Sequence, residues 1–125
     1  MSRKQQIQPY LAIEAGDLSD ASITGQETVV FQTDVVEYLV TWSGGQATNG
    51  DIKIQASHDN SKSTPASSWF DLDFGSIISL NGASGNHQII IEQVSFAKVR
   101  PVYTRTNGSA SGSLNINLIA TTKGA

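Results

Sequence analysis

Residues 96–120 constrain the fold more than any other stretch of the chain. Ala97, Val99, Pro101 and Tyr103 alternate with the residues between them, and Leu114, Ile116, Leu118 and Ala120 do the same. An apolar period of two is the mark of a strand with one face in a core, because successive side chains point to opposite faces. Between the two runs, residues 106–112 (Thr-Asn-Gly-Ser-Ala-Ser-Gly) are small and polar. They read as a hairpin loop in which the Asn107-Gly108 pair takes positive φ.

The same alternation recurs upstream. Val36, Tyr38, Val40 and Trp42 share one face of a strand, and Ile52, Ile54 and Ala56 share one face of the next, across a loop with two glycine signals. These two read as a second hairpin. Shorter strands are expected within residues 22–33, with Val29, Val30 and Phe31 as anchors, and over 69–72, 76–80 and 87–92. In the run Asp71-Leu72-Asp73-Phe74, the aspartates face solvent and Leu72 and Phe74 face inward. The run Ile89-Ile90-Ile91 suits a strand buried on both faces or lying near a subunit contact. No long amphipathic helix and no internal repeat stands out. Short strands set apart by turn signals indicate an all-β fold, an antiparallel β-sandwich with jelly-roll-like topology.

The chain of 125 residues suits one domain over residues 17–125, preceded by a distinct segment. Residues 1–16 begin polar and basic and turn apolar from Ile7. They read either as an edge strand, where Pro9 is tolerated, or as an extended N-terminal arm that docks on a neighbouring subunit. In the arm reading, Ile7, Tyr10, Leu11 and Ile13 make the subunit or capsid contact. The basic start lacks the apolar stretch of a secretory signal.

With no cysteine, the chain has no disulfide, thiolate metal site or cysteine nucleophile. A net charge of −3 offers no basic footprint for nucleic acid, and no apolar run reaches the ~20 residues of a membrane-spanning helix. Nothing in the chain assigns a catalytic residue, a cofactor or a metal. Serine is plentiful, but none lies in a nucleophile-elbow sequence. His58 and His87, the two histidines, read as a solvated loop residue and an edge residue. Asp71 and Asp73 could in principle pair for glycoside hydrolysis or calcium, although their register makes them an ordinary solvent-facing pair. Trp42 follows an inward register and is a core residue. Trp69 is also expected to pack, yet it follows a long polar loop and is the better candidate for a ligand contact, with His58 at the start of that loop.

Three blocks bear a family likeness. They are residues 38–45 (Tyr-Leu-Val-Thr-Trp-Ser-Gly-Gly), residues 54–60 (Ile-Gln-Ala-Ser-His-Asp-Asn) followed by Trp69, and residues 99–108 (Val-Arg-Pro-Val-Tyr-Thr-Arg-Thr-Asn-Gly) ending in Gly112-Ser-Leu-Asn115. Together they resemble small virion structural proteins of tailed bacteriophages. Ala56-Ser57-His58-Asp59 and Pro101 depart from the usual pattern. The resemblance implies a β-sandwich without catalytic activity that assembles on a particle in the host cytoplasm. It implies a capsid decoration or minor head protein, or a tail, adaptor or fibre component. The partners would be the major capsid protein or tail and adaptor proteins, and the chain would form a homo-oligomer, with a trimer expected. A looser similarity to discoidin-like carbohydrate-binding sandwiches implies a sugar site around Trp69.

Overall fold

The computed structural model describes residues 6–30, 33–44, 48–58, 68–75, 77–81, 84–92 and 94–121, with side chains from residue 11 onward except Thr48. Phe31, expected as an anchor, falls outside them. The described residues form ten strands: β1 (Gln6–Asp17), β2 (Ser22–Thr24), β3 (Thr28–Val29), β4 (Val35–Gly44), β5 (Thr48–Ser57), β6 (Phe70–Asp71), β7 (Ile78–Asn81), β8 (Ser84–Ile91), β9 (Lys98–Arg105) and β10 (Gly112–Thr121). Four make a first sheet in the order β1-β10-β4-β8, and six make a second, β2-β9-β5-β6 with β3 beside β9 and β7 beside β5. All pairings are antiparallel.

Each pass of the chain changes sheet except β2 to β3 and β5 through β7. That alternation is the double Greek key of a jelly roll. The core lies between the sheets. Leu114, Ile116, Leu118 and Ala120 of β10, and Val36, Tyr38 and Val40 of β4, meet Ile54, Ala56, Val99 and Tyr103 from the other sheet. Each fully buried Leu or Ile contributes about 1.5–3 kcal/mol of transfer free energy.

Both expected hairpins are overturned by this topology. β9 pairs with β5, β2 and β3, whereas β10 pairs with β1 and β4. Likewise β4 and β5 lie in different sheets. Both connections are arches that carry the chain across the sandwich. Apolar alternation reports that a strand has one inward face, and hairpins and arches satisfy it equally. The positive φ also sits elsewhere: at Gly112, with φ +114, and not at Gly108. A β-carbon at Gly112 would overlap the carbonyl oxygen of Ser43, so β10 starts its pairing with β4 at a residue that must lack a side chain.

Residues 6–17 are the edge strand of the first sheet, paired with β10 of the same chain from Gln6↔Thr121 to Asp17↔Ser113. The register slips between Ile7 and Tyr10, between Leu11 and Ile13, and between Ile13 and Gly16. Ala15 takes the left-handed region, φ 48, and its N–H donates to Asn115 Oδ1 at 2.8 Å. Bulges of this kind twist an edge away from further pairing.

Candidate functional site

The sandwich has two open sides. One joins β1 and β2, and the other joins β8 to β6 and β7. The second side carries most of the unusual surface.

Its polar part is built across the outer face of the second sheet. Register sets Arg100 of β9 opposite Gln55 of β5, and Gln55 opposite Asp71 of β6. Arg100 Nε donates to Gln55 Oε1 at 2.9 Å, and Gln55 Nε2 donates to Asp71 Oδ1 at 2.9 Å. Lys53 Nζ lies 3.5 Å from Asp71 Oδ2. The Gln55 amide holds the Asp71 carboxyl below its ordinary range, with Lys53 adding to the effect. A carboxyl held in the charged form is a poor proton donor near neutral pH and a good fixed anion.

Trp69 belongs to this face and is not in the core, against the expectation that it packs. The Arg100 guanidinium sits 4.1 Å from the centre of its ring, a cation–π contact worth roughly 0.5–1 kcal/mol at an exposed site. That contact occupies one face of the ring that a sugar would need. His58 is exposed and stacks on Phe70, with ring centres 5.4 Å apart. Trp69 and His58 therefore each have a partner from this chain. Trp42, by contrast, packs against the core as expected.

Beside this network lies a cleft of about 460 Å³ lined by Asp51, Lys53, Asp71, Asp73, Phe74 and Ile77 among others. Its carboxylates already accept hydrogen bonds. Ser79 Oγ donates to Asp51 at 2.9 Å, and the Gly75 N–H donates to Asp73 at 2.7 Å. Among the described residues, no three His, Cys, Asp or Glu side chains are grouped to hold a metal ion.

A second groove, about 510 Å³, runs between β7 and β8 and shares Phe74, Ile77 and Ile78 with the first. Phe74 and Ile77 therefore form an apolar ridge between two depressions. Ile77 is 77% exposed and Phe74 38%, so Phe74 does not face inward as its register suggested. β6 ends at Asp71, and the strand period cannot be carried past it to residue 74. On β8, Ile89 and Ile91 are buried while Ile90 is 48% exposed. The strand is thus buried on one face and not on both. Ile90 and Leu39 add apolar surface to the outside of the first sheet.

The arm residues lie away from this side. Ile7 and Tyr10 have described backbones within β1, and their side chains lie outside the described residues. Leu11 is half-buried opposite Asn117, and Ile13 is 4% exposed, inside the core of its own chain. The structure does not bring the arm together with Trp69 and His58. The ridge residues Phe74 and Ile77 escaped sequence reasoning. The run Ile89-Ile90-Ile91 was the one sequence signal on this side, and it places Ile90 at the surface.

No protein-family model matches the sequence, and no curated protein matches it. Among solved structures, the SPBc2 prophage-derived protein YomS shares the fold over 98% of this chain and 97% of its own, at 15% identity and a TM-score of 0.59. Dimeric latent PorU from Porphyromonas gingivalis contains a similar unit, with a TM-score of 0.50 at 6% identity. This chain spans 98% of its own length but 13% of PorU. The chain is a jelly-roll sandwich whose fold occurs at full length in a prophage-derived protein.

Proposed function

We propose that this chain is a non-enzymatic structural protein of a bacteriophage particle, a capsid decoration or minor head protein that assembles on the particle surface as a homo-oligomer. The observation that carries the reading is the open β6–β8 side, where Phe74, Ile77 and Ile90 stand exposed next to a charged rim. Apolar groups at the centre of a patch with polar groups around it are the anatomy of a protein-binding surface. The three sequence blocks that resemble virion proteins support it, as does the full-length fold likeness to a prophage-derived protein. A repeated lattice suits such a module, because several weak contacts add through effective concentration.

The test is to purify particles from the bacterium that carries the gene, separate heads from tails, and quantify the chain in each fraction by mass spectrometry. Many copies per head are expected. Copies confined to tails would move the protein to a tail or adaptor role, and absence from both fractions would overturn the reading.

A further inference from the structure

The two sheets end in four edges, and three of them carry devices that block pairing. β1 contains Pro9 and three slips of register. The β2 and β3 edge consists of strands of three and two residues. The β6 and β7 edge is likewise broken into short pieces, and Asp71, Lys53 and Asp73 stand beside it. Short strands, charges, bulges and proline are how folded proteins keep an edge from recruiting another strand. β8 has none of them. It runs eight residues, Ser-Gly-Asn-His-Gln-Ile-Ile-Ile, without Lys, Arg, Asp, Glu or Pro. Its register with β4 is unbroken from Val36↔Ile91 to Ser43↔Ser84. Among the described residues, nothing pairs with its outer edge.

We infer that β8 pairs antiparallel with β8 of a second copy across a two-fold axis, joining the two four-stranded sheets into one. A second copy is the occupant that the edges favour. Self-pairing covers both unprotected edges at once and leaves the blocked β1 edges outermost. A head-to-tail contact would instead set β8 against Pro9 and the bulges of β1. Charge agrees, because an uncharged strand meets no like charge in itself at any register, although the chain as a whole carries −3.

The size is also adequate. Eight residues at ~3.4 Å each give a strip ~27 Å long, and a two-sheet sandwich with its side chains is ~20 Å deep. The strip offers on the order of 500 Å² per copy, close to the ~1,000 Å² in total that a specific interface needs. The groove between β7 and β8, walled by Phe74 and Ile77, lies along the same side and would take up partner side chains. An isologous contact of this kind makes dimers. A three-fold assembly would need a different surface.

The inference deepens the homo-oligomer part of the reading above and rests on it, but it does not depend on the particle. A dimer absent from particles would sink the virion role and keep the interface, and a monomer found in particles would do the reverse. The experiment is light scattering on the full chain and on an Asn86→Lys/Ile90→Lys variant, with circular dichroism to confirm folding and hydrogen exchange on β8. Wild type should have twice the mass of one chain and slow exchange at the β8 amides that do not bond β4. The folded variant should fall to one chain mass with those same amides exchanging fast. Because the chain has no cysteine, single substitutions Asn86→Cys, Gln88→Cys and Ile90→Cys report symmetry directly. At least one should form a covalent dimer under mild oxidation. A wild-type monomer, an oligomer indifferent to both lysines, or a full set of cysteine variants that never cross-link would each overturn the two-fold pairing.

Discussion

Lys98 is 1% exposed, on β9 opposite Val29 of β3. Its ammonium lies 3.2 Å from Glu27 Oε1. The Glu27 side chain is 28% exposed, so only the lysine end of the pair is fully buried. Removing one partner of a wholly buried pair costs about 3–5 kcal/mol, a partly exposed partner costs less, and replacing the buried ion by an apolar group of similar size is often neutral. Glu27→Gln should therefore destabilise by about 1–2 kcal/mol in urea unfolding, and Lys98→Met should cost less. The reverse order would mean that Glu27 contributes little to holding the lysine. Tyr103 is a second buried polar tie. Its hydroxyl donates to the Leu18 carbonyl at 2.8 Å and lies 3.3 Å from that of Asn49, linking the β1–β2 turn to β5. Burial pushes the phenol pKa up, with Asp17 and Asp51 adding to it and Arg105 opposing. A phenol whose folded pKa is raised is held more tightly in its protonated form by the folded state. Its stabilisation is whole below the unfolded value of about 10 and is lost as pH rises through the folded value. Tyr103→Phe should cost about 1–2 kcal/mol at neutral pH and should flatten the decline of stability in alkali. An unchanged alkaline limb would show that another group controls it.

At the scale of elements, the strands were legible in the sequence and their partners were not. The alternation in β4, β5, β9 and β10 located each inward face, and Val36, Tyr38, Ile54, Val99, Leu114 and Leu118 are all fully buried. Pairing is a long-range property. An arch and a hairpin demand the same alternation, so residues 96–120 looked like one hairpin while β9 and β10 went to different sheets. The surface was the least legible level. Trp69 looked like a core residue because aromatic residues usually are, and nothing in the linear chain sets Arg100 above its ring. β1 shows what an element does once its pairing is known. It buries Ala12 and Ile13 and covers the edge of β10. A chain starting at Asp17 would bare that edge and lose both side chains. Such a truncation should lower stability by about 3 kcal/mol or more, on the scale of one large core deletion, and should promote association. If the truncated chain keeps its melting temperature and mass, β1 is a dispensable tail.

The whole molecule is asymmetric. Charged residues make up 15% of the chain, below the usual quarter or so, which leaves little self-repulsion to keep copies apart. The β1–β2 side is blunted, while the β6–β8 side presents Phe74, Ile77 and Ile90. A side chain exposed as fully as Ile77, at 77%, contributes little to folding. Ile77→Ser should therefore leave unfolding free energy within about 0.5 kcal/mol of wild type, as surface changes away from special features do. Association should respond differently. Loss of one apolar anchor at an interface costs about 1 kcal/mol or more, and each ~1.4 kcal/mol is tenfold in affinity. Ile77→Ser should thus weaken self-association or particle occupancy by roughly fivefold or more while the melting curve stays in place. The two readouts separate the roles. If stability falls and association does not, the ridge is part of the fold. If association falls alone, the ridge is a surface that the isolated chain leaves uncovered.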